Sequence, residues 1–61
     1  MEYYLFDLLP DNGTEVEIKL IGFPGTWIKV VWDLLQQRFK VRQSGLIIET
    51  SQVVLWRKIR V

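Results

Sequence analysis

The sequence contains no cysteine and no histidine. It therefore has no disulfide, no thiolate nucleophile, no imidazole base and no zinc site made of cysteine and histidine ligands. Only four glycines and two prolines are present, which excludes a collagen-like chain and a low-complexity linker. Long apolar runs are also missing. The longest stretch without a charge, Leu20 to Ile28, is far shorter than the roughly 18 residues of a membrane-spanning helix.

The first residues do not resemble a secretory signal, which starts with positive charge and continues with a longer apolar run. The early charges are acidic, Glu2 and Asp7, and the turn residues Pro10-Asp11-Asn12-Gly13 follow directly. We therefore expect a soluble, cytoplasmic protein that does not act at a membrane.

What the chain does contain is enough for one small domain, residues 1–61. Hydrophobic residues make up 49% of the 61 residues and charged residues 25%, so a disordered chain is excluded. A domain of this size without disulfides or a metal has little stability to spare unless its core is dense or a partner adds to it.

Charge is distributed unevenly. Residues 1–17 hold five acidic residues and no basic one, whereas residues 18–61 hold eight basic and two acidic residues, a formal charge of +6. Such asymmetry can indicate an anionic partner for the basic part. The alternative, which the near-neutral total favours, is that acidic and basic segments are neighbours in the fold.

The first half predicts a β-hairpin. Residues 2–9 are rich in aromatic and branched side chains, and Asn12-Gly13 is typical of a tight turn. Residues 14–21 then alternate between polar and apolar side chains, the signature of a half-buried strand. We expect Leu8, Phe6 and Tyr4 to pair with Val16, Ile18 and Leu20, and Gly13 to have a positive φ.

The middle of the chain predicts a helix. Gly22-Phe23-Pro24-Gly25 interrupts the strand, and Thr26 can cap a helix that runs from Trp27 to about Phe39. Apolar residues recur there at helical spacing, for example Ile28, Val31 and Leu35.

The last third is extended again, with a polar turn at residues 49–52 and a closing strand from Val53 to Val61. The expected fold is therefore a small α+β domain: an antiparallel sheet of about four strands in ββαββ order, with one helix packed on one face. The expected core is listed here: Val16, Ile18, Leu20, Val31, Leu35, Phe39, Val41, Leu55 and Ile59.

This order resembles a known family. The strand Val16 to Gly22, the segment Trp27 to Arg38, then Phe39-Lys40-Val41, a polar break and a final strand with charged alternate positions are similar to short βαββ proteins of unknown function from bacteria and their viruses. The resemblance implies a helix on a sheet, and it implies no functional residues.

Catalytic chemistry finds little support. The carboxylates fall at turns or at positions of strands that are expected to be exposed to solvent. The serines have no base partner, and the sequence has no glycine-rich phosphate loop. Asp11-Asn12-Gly13 resembles part of a calcium loop but lacks the further ligands. We expect no catalytic residue, no cofactor and no metal, and hence a protein that is not an enzyme.

The sequence of the last two strands predicts an exposed binding surface. If they form a hairpin with Ile48 opposite Val54 and Leu46 opposite Trp56, then Arg42 lies opposite Arg60. The outward face, which we call the predicted interaction surface, would then combine an exposed apolar cluster with basic residues: Leu46, Ile48, Val54, Trp56, Arg42, Lys58 and Arg60.

Three interpretations of this surface are open. It can pack against another protein or a second copy, which would make the chain a binding or assembly module, a homodimer or a small subunit. Alternatively, it can bind single-stranded nucleic acid, with bases stacked on Trp56 and phosphates on Lys40, Arg42, Lys58 and Arg60. In the third interpretation, Ser44-Gly45 forms a bulge that turns Leu46 and Ile48 into the core. The first is preferred.

Overall fold

The computed structural model describes residues 1–23 and 25–59, which form one antiparallel sheet. Its strands are β1 (Glu2–Tyr3), β2 (Glu15–Leu20), β3 (Ile28–Asp33), β4 (Arg38–Lys40), β5 (Ile47–Glu49) and β6 (Val53–Lys58), and a turn of 3-10 helix, η1 (Thr50–Gln52), joins β5 to β6. The spatial order is β1-β6-β2-β3-β4-β5. Strands β2 to β5 are therefore a meander, and β6 returns to lie beside β2. Within these ranges, nothing forms an apolar helix of membrane-spanning length.

The predicted α+β fold is wrong, because the segment expected to be its helix forms β3, the turn of residues 34–37 and the start of β4. The family resemblance implied the same helix. Ile28, Val30 and Trp32 alternate with more exposed residues along β3. This segment is rich in β-branched and aromatic side chains, which favour a pleated strand. Thr26, expected as a helix cap, lies in the connection before β3.

The predicted N-terminal hairpin is also wrong. Strand β1 pairs with β6, with Tyr3 opposite Trp56, and β2 pairs with β3 and β6. Residues 5–7 form a turn in which the N–H groups of Asp7 and Leu8 both donate to the Tyr4 carbonyl. The positive φ of Gly13 is confirmed, at 78°. Its N–H donates to the Trp32 carbonyl, so the glycine turns the chain into β2 beside β3.

Gly13→Ala is expected to lower the free energy of unfolding by about 1–2 kcal/mol, the cost of a left-handed conformation for a residue with a Cβ. The cause is the backbone alone, because an added Cβ would meet nothing within 4 Å. Gly25→Ala is the matched control: its Cβ would also meet nothing, and its φ lies outside the left-handed region. Urea denaturation of both variants measures the difference, and equal stabilities would contradict this account of the turn.

The sheet curls around one core. The buried residues, Val16, Ile18, Val30, Trp32, Phe39, Ile48 and Trp56, come from β2 to β6 and form a single cluster. A single flat sheet would be much thinner than it is wide, because stacked sheets pack only about 10 Å apart, whereas the molecule measures 26 × 25 × 23 Å. Since β5 is an edge strand and β6 lies on the other side of β2, their buried residues can share one cluster only if the sheet rolls up.

The core prediction was partly right. Val16, Ile18 and Phe39 are buried as expected, while Leu20, Val31, Val41, Leu55 and Ile59 are only half-buried. Leu35 is wrong: it lies in the turn after β3 and its side chain is 91% exposed. Val31 and Leu55 point away from the core because they alternate with Val30 and Trp56 along their strands.

Opposite charges face each other across the outer side of the sheet. Glu17 lies opposite Lys29 on β3 and opposite Arg57 on β6, and Arg38 lies between Asp33 and Glu49. Nε of Arg57 donates to a carboxylate oxygen of Glu17 at 2.9 Å. One carboxylate of the acidic stretch, Glu17, is therefore paired with a basic residue of the later part of the chain, and cross-strand pairs of this kind stabilise a sheet.

Candidate functional site

The predicted interaction surface does not form in the described residues. Strands β5 and β6 do not pair there: β5 pairs with β4, and β6 with β2 and β1. Ile48 and Trp56 are core residues, 4% and 2% exposed, whereas Leu46 and Val54 are 61% and 38% exposed. Arg42 and Lys58 are exposed on different elements, and Arg60 lies outside the described residues.

Two local features determine this arrangement. Ser44-Gly45 belongs to the loop between β4 and β5, where Gly45 has a φ of 74° and the Ser44 hydroxyl accepts from the N–H of Leu46 at 3.2 Å. The strand after this loop turns Ile48 inward. In the pairing of β2 with β6, Lys19 lies opposite Leu55 and Leu20 opposite Val53, so Val54 is the extra residue of a β-bulge in β6.

An apolar groove instead opens beside the N-terminal segment. We call it the N-terminal groove; it encloses about 250 Å³ and is lined by Leu5, Phe6, Leu9, Trp32, Gln37 and Thr50. Its walls come from the segment after β1, the end of β3, the β3–β4 turn and η1. None of these lining side chains is ionisable, so the groove is built for binding an apolar group and offers no acid or base to a reaction.

The N-terminal segment is fixed to the rest of the fold at several points. The indole Nε1 of Trp56 donates to the Leu8 carbonyl at 2.7 Å, and Pro10 is buried. The ring of Tyr3 lies 4.9 Å from the ring of Trp56. Further along, the side-chain oxygen of Asn12 accepts from the N–H of Leu34 at 3.0 Å. The wall formed by residues 5–9 is therefore held in place before any partner binds.

Large apolar side chains stay exposed at the groove. Phe6 is 85% exposed and Leu9 48% exposed, although both lie on a segment that packs against the core. Met1, Tyr4 and Leu8 of the same segment are exposed as well. Contiguous apolar surface of this kind marks binding sites in soluble proteins.

One buried polar group in the groove wall has no partner in the described part of the chain. Trp32 is 1% exposed, and its Nε1 makes no hydrogen bond with any residue that the structure describes. A buried donor without an acceptor costs about 1–3 kcal/mol. The contrast with Trp56, whose Nε1 is satisfied by Leu8, shows that the fold can supply an acceptor to one indole and leaves the other without one.

Gln37 lines the groove and has a strained backbone conformation. Its φ is 52°, the left-handed region that non-glycine residues rarely adopt. The turn that holds it is closed by the Asp33 carboxylate, which accepts from the N–H of Gln36 at 3.3 Å. Strain of this kind is concentrated at functional sites, and here it places an amide side chain at the groove.

The chain around the groove is acidic. Leu5, Phe6 and Leu9 belong to the stretch of residues 1–17, which has five carboxylates and no basic residue. Asp7, next to Phe6, is exposed, as is Glu49, next to Thr50. Arg38 partly offsets Glu49, which lies opposite it. The groove therefore has an apolar floor, and two carboxylates, Asp7 and Glu49, lie next to its lining residues in the chain and form its margin.

A second surface lies on the outer face of β2, β3 and β6. We call it the outer cluster: Glu17, Lys19, Trp27, Lys29 and Arg57. The guanidinium carbon of Arg57 lies 3.9 Å from the ring centre of Trp27, and Nζ of Lys19 lies 4.7 Å from it. Glu17 pairs with Arg57. Glu17 therefore offsets one of the three cations of the cluster, and the ring of Trp27 is covered by two of the protein's own cations, Lys19 and Arg57.

Comparison with known protein families, curated proteins and solved structures finds no match to this chain. The inference of function therefore depends on the geometry of the groove and the outer cluster.

Sequence reasoning missed the groove because its residues are distant in the chain and belong to four elements. Residues 2–9 predict a strand with Tyr4, Phe6 and Leu8 on its inner face. The signal available is a surplus of apolar side chains, because Leu5 and Leu9 fall on the opposite face of that strand. A half-buried strand would have had polar residues at those positions.

Proposed function

We propose that the chain is a non-catalytic protein-binding module. Its N-terminal groove takes an apolar side chain from a segment of a partner protein that also carries basic residues. The observation behind the proposal is a groove with exposed apolar walls, Phe6 and Leu9, inside an acidic stretch of chain. The apolar anchor would supply the affinity, and the margin would select basic flanking residues and steer their approach.

Charge favours this partner over a two-fold homodimer through the groove. A two-fold contact brings the same patch of both copies together, so the exposed Asp7, which follows the groove residue Phe6, would approach the Asp7 of the other copy. Like charges at a contact oppose association. A second copy could dock only with a different, basic part of its surface, and such a contact would not close into a dimer by itself.

The groove is also favoured over the outer cluster as a binding site. A nucleic-acid surface needs cations free for phosphates and an aromatic face free for a base. In the outer cluster Arg57 is paired with Glu17, and two cations already lie over Trp27. We therefore make nucleic-acid binding an outcome of the test and do not propose it.

Titration calorimetry with a synthetic peptide tests the proposal. The probe is an acetylated and amidated heptapeptide, Lys-Arg-Leu-Leu-Phe-Arg-Lys, and we expect a dissociation constant on the order of 100 μM. Two control peptides replace either the three apolar residues with serine or the four basic residues with glutamate. We expect both to bind at least about tenfold more weakly, since each lacks one of the two contributions.

A matched pair of variants locates the binding. Phe6→Ser removes an exposed groove wall, whereas Leu35→Ser removes a side chain that is equally exposed but does not line the groove. We expect about tenfold weaker peptide binding for Phe6→Ser, from the loss of apolar contact, and no change for Leu35→Ser. Equal effects of the two variants, or tighter binding of a single-stranded oligonucleotide than of the peptide, would contradict the proposal.

A further inference from the structure

The indole of Trp32 indicates which kind of chemical group a ligand in the groove must carry. The ring is 1% exposed and forms part of the groove wall, and its Nε1 is a buried donor with no acceptor among residues 1–23 and 25–59. Native structures leave few buried donors unpaired, so each unpaired one calls for a physical explanation. Trp32 is one of the residues that line the groove, so an occupant of the groove is a candidate partner for this donor.

We infer that the occupant of the N-terminal groove presents a carbonyl oxygen to Nε1 of Trp32. The ligand class is thus an apolar group with an adjacent carbonyl, which every residue of a peptide supplies through its backbone. This inference depends on the proposed function for the location of the site and adds a specificity element to it. Trp32 would act as a positioning residue that fixes the register of the bound segment.

The neighbouring polar groups fit this assignment. Gln37 and Thr50, which also line the groove, can both donate and accept, so either can bond a second polar group of a peptide. An indole N–H only donates. Its partner must therefore be an acceptor, and because three of the other lining residues, Leu5, Phe6 and Leu9, are apolar, an acceptor carried on an apolar group fits best.

Two small probes of nearly the same shape test the inference. Cyclohexanone carries a carbonyl oxygen, and methylenecyclohexane carries a CH₂ group at the same place. Both are titrated into the ¹⁵N-labelled protein while the indole N–H resonances of Trp27, Trp32 and Trp56 are followed. We expect cyclohexanone to bind about fivefold or more tightly, because a site with an unpaired donor discriminates against a ligand without an acceptor.

The indole resonances and one variant complete the test. Cyclohexanone should move the Trp32 indole proton downfield, whereas the Trp56 indole, already bonded to Leu8, should not move in this way. In Trp32→Phe the two probes should bind equally. If that variant does not fold, the Trp32 indole shift in the wild type decides.

Several results would overturn the inference: equal binding of both probes to the wild type, a carbonyl preference that persists in Trp32→Phe, or no binding of either probe. The proposed function fails separately. If the basic peptide does not bind but cyclohexanone shows the preference and the shift, the inference stands and the partner assignment falls. If the peptide binds without shifting the Trp32 indole resonance and the two probes bind equally, the proposed function stands and the carbonyl inference fails.

Discussion

Phe39→Ala is expected to lower the free energy of unfolding by about 3–5 kcal/mol, the usual cost of removing a buried ring. Phe39 is fully buried, and its ring lies 4.7 Å from that of Trp32. Its cross-strand neighbours are Trp32 on β3 and Ile48 on β5, so the cavity would lie between three strands. Since small domains are stable by only about 5 kcal/mol or slightly more, much of the variant should be unfolded at room temperature.

Leu35→Ala is the matched comparison, and its effect should lie within about 0.5 kcal/mol of zero, as for most surface substitutions. The two residues are close in the chain, and a helix through this segment would bury both on its inner face. In the sheet, Leu35 is 91% exposed. Urea denaturation followed by tryptophan fluorescence gives both values, and a loss of several kcal/mol for Leu35→Ala would restore the helix and contradict the all-β fold.

Trp56→Phe should destabilise the protein more than Trp32→Phe, by about 1–2 kcal/mol. Both indoles are at most 2% exposed, so the cavities left by the smaller ring are similar. Only Trp56 loses a hydrogen bond, the one to the Leu8 carbonyl. Trp32→Phe removes an unpaired donor, which offsets part of the cost of its cavity.

The same pair of variants should differ in the mobility of the N-terminal segment. Without the bond from Trp56 to Leu8, residues 5–9 are held mainly by apolar contacts, so their amide hydrogens should exchange faster in Trp56→Phe than in Trp32→Phe. Equal stabilities together with equal exchange would show that the hydrogen bond does not hold the groove wall.

Sequence patterns predicted the parts of the fold that depend on local information. Strand β2 alternates strictly, and Val16 and Ile18 are buried as predicted. The positive φ of Gly13 followed from Asn-Gly turn chemistry. The polar residues 49–52 form the expected turn, as η1. The interpretation that acidic and basic segments are neighbours is supported by the pair Glu17–Arg57.

The helix prediction failed because β3 has apolar residues on both faces. Val31 lies opposite Glu15 and Lys40 on the outer side, while Val30 faces the core. Five apolar residues among Trp27 to Trp32 match a helical period as well as a strand period, and short apolar runs cannot be assigned by periodicity alone. The β-branched and aromatic composition was the better guide.

The site could not be predicted for a different reason. Strand order decides which faces meet, and a meander closed by β6 against β2 cannot be read from alternation. Consecutive strands such as β5 and β6 are expected to pair, but β6 follows η1 to the opposite side of the sheet, beside β2. Consequently Trp56 is a core residue, although the sequence predicts it on the surface. Phe6 and Leu9 are exposed at the groove, although the sequence predicts them in a hairpin.

The most direct test of the binding proposal is a map of the basic heptapeptide on the ¹⁵N-labelled protein. The account predicts that backbone amide shifts on peptide addition are largest at residues 5–9, with Trp32, Gln37 and Thr50, which line the groove. The outer cluster serves as the internal control and should change little. Shifts concentrated at Lys19, Trp27 and Arg57, with residues 5–9 unchanged, would contradict the proposal that the N-terminal groove is the binding site.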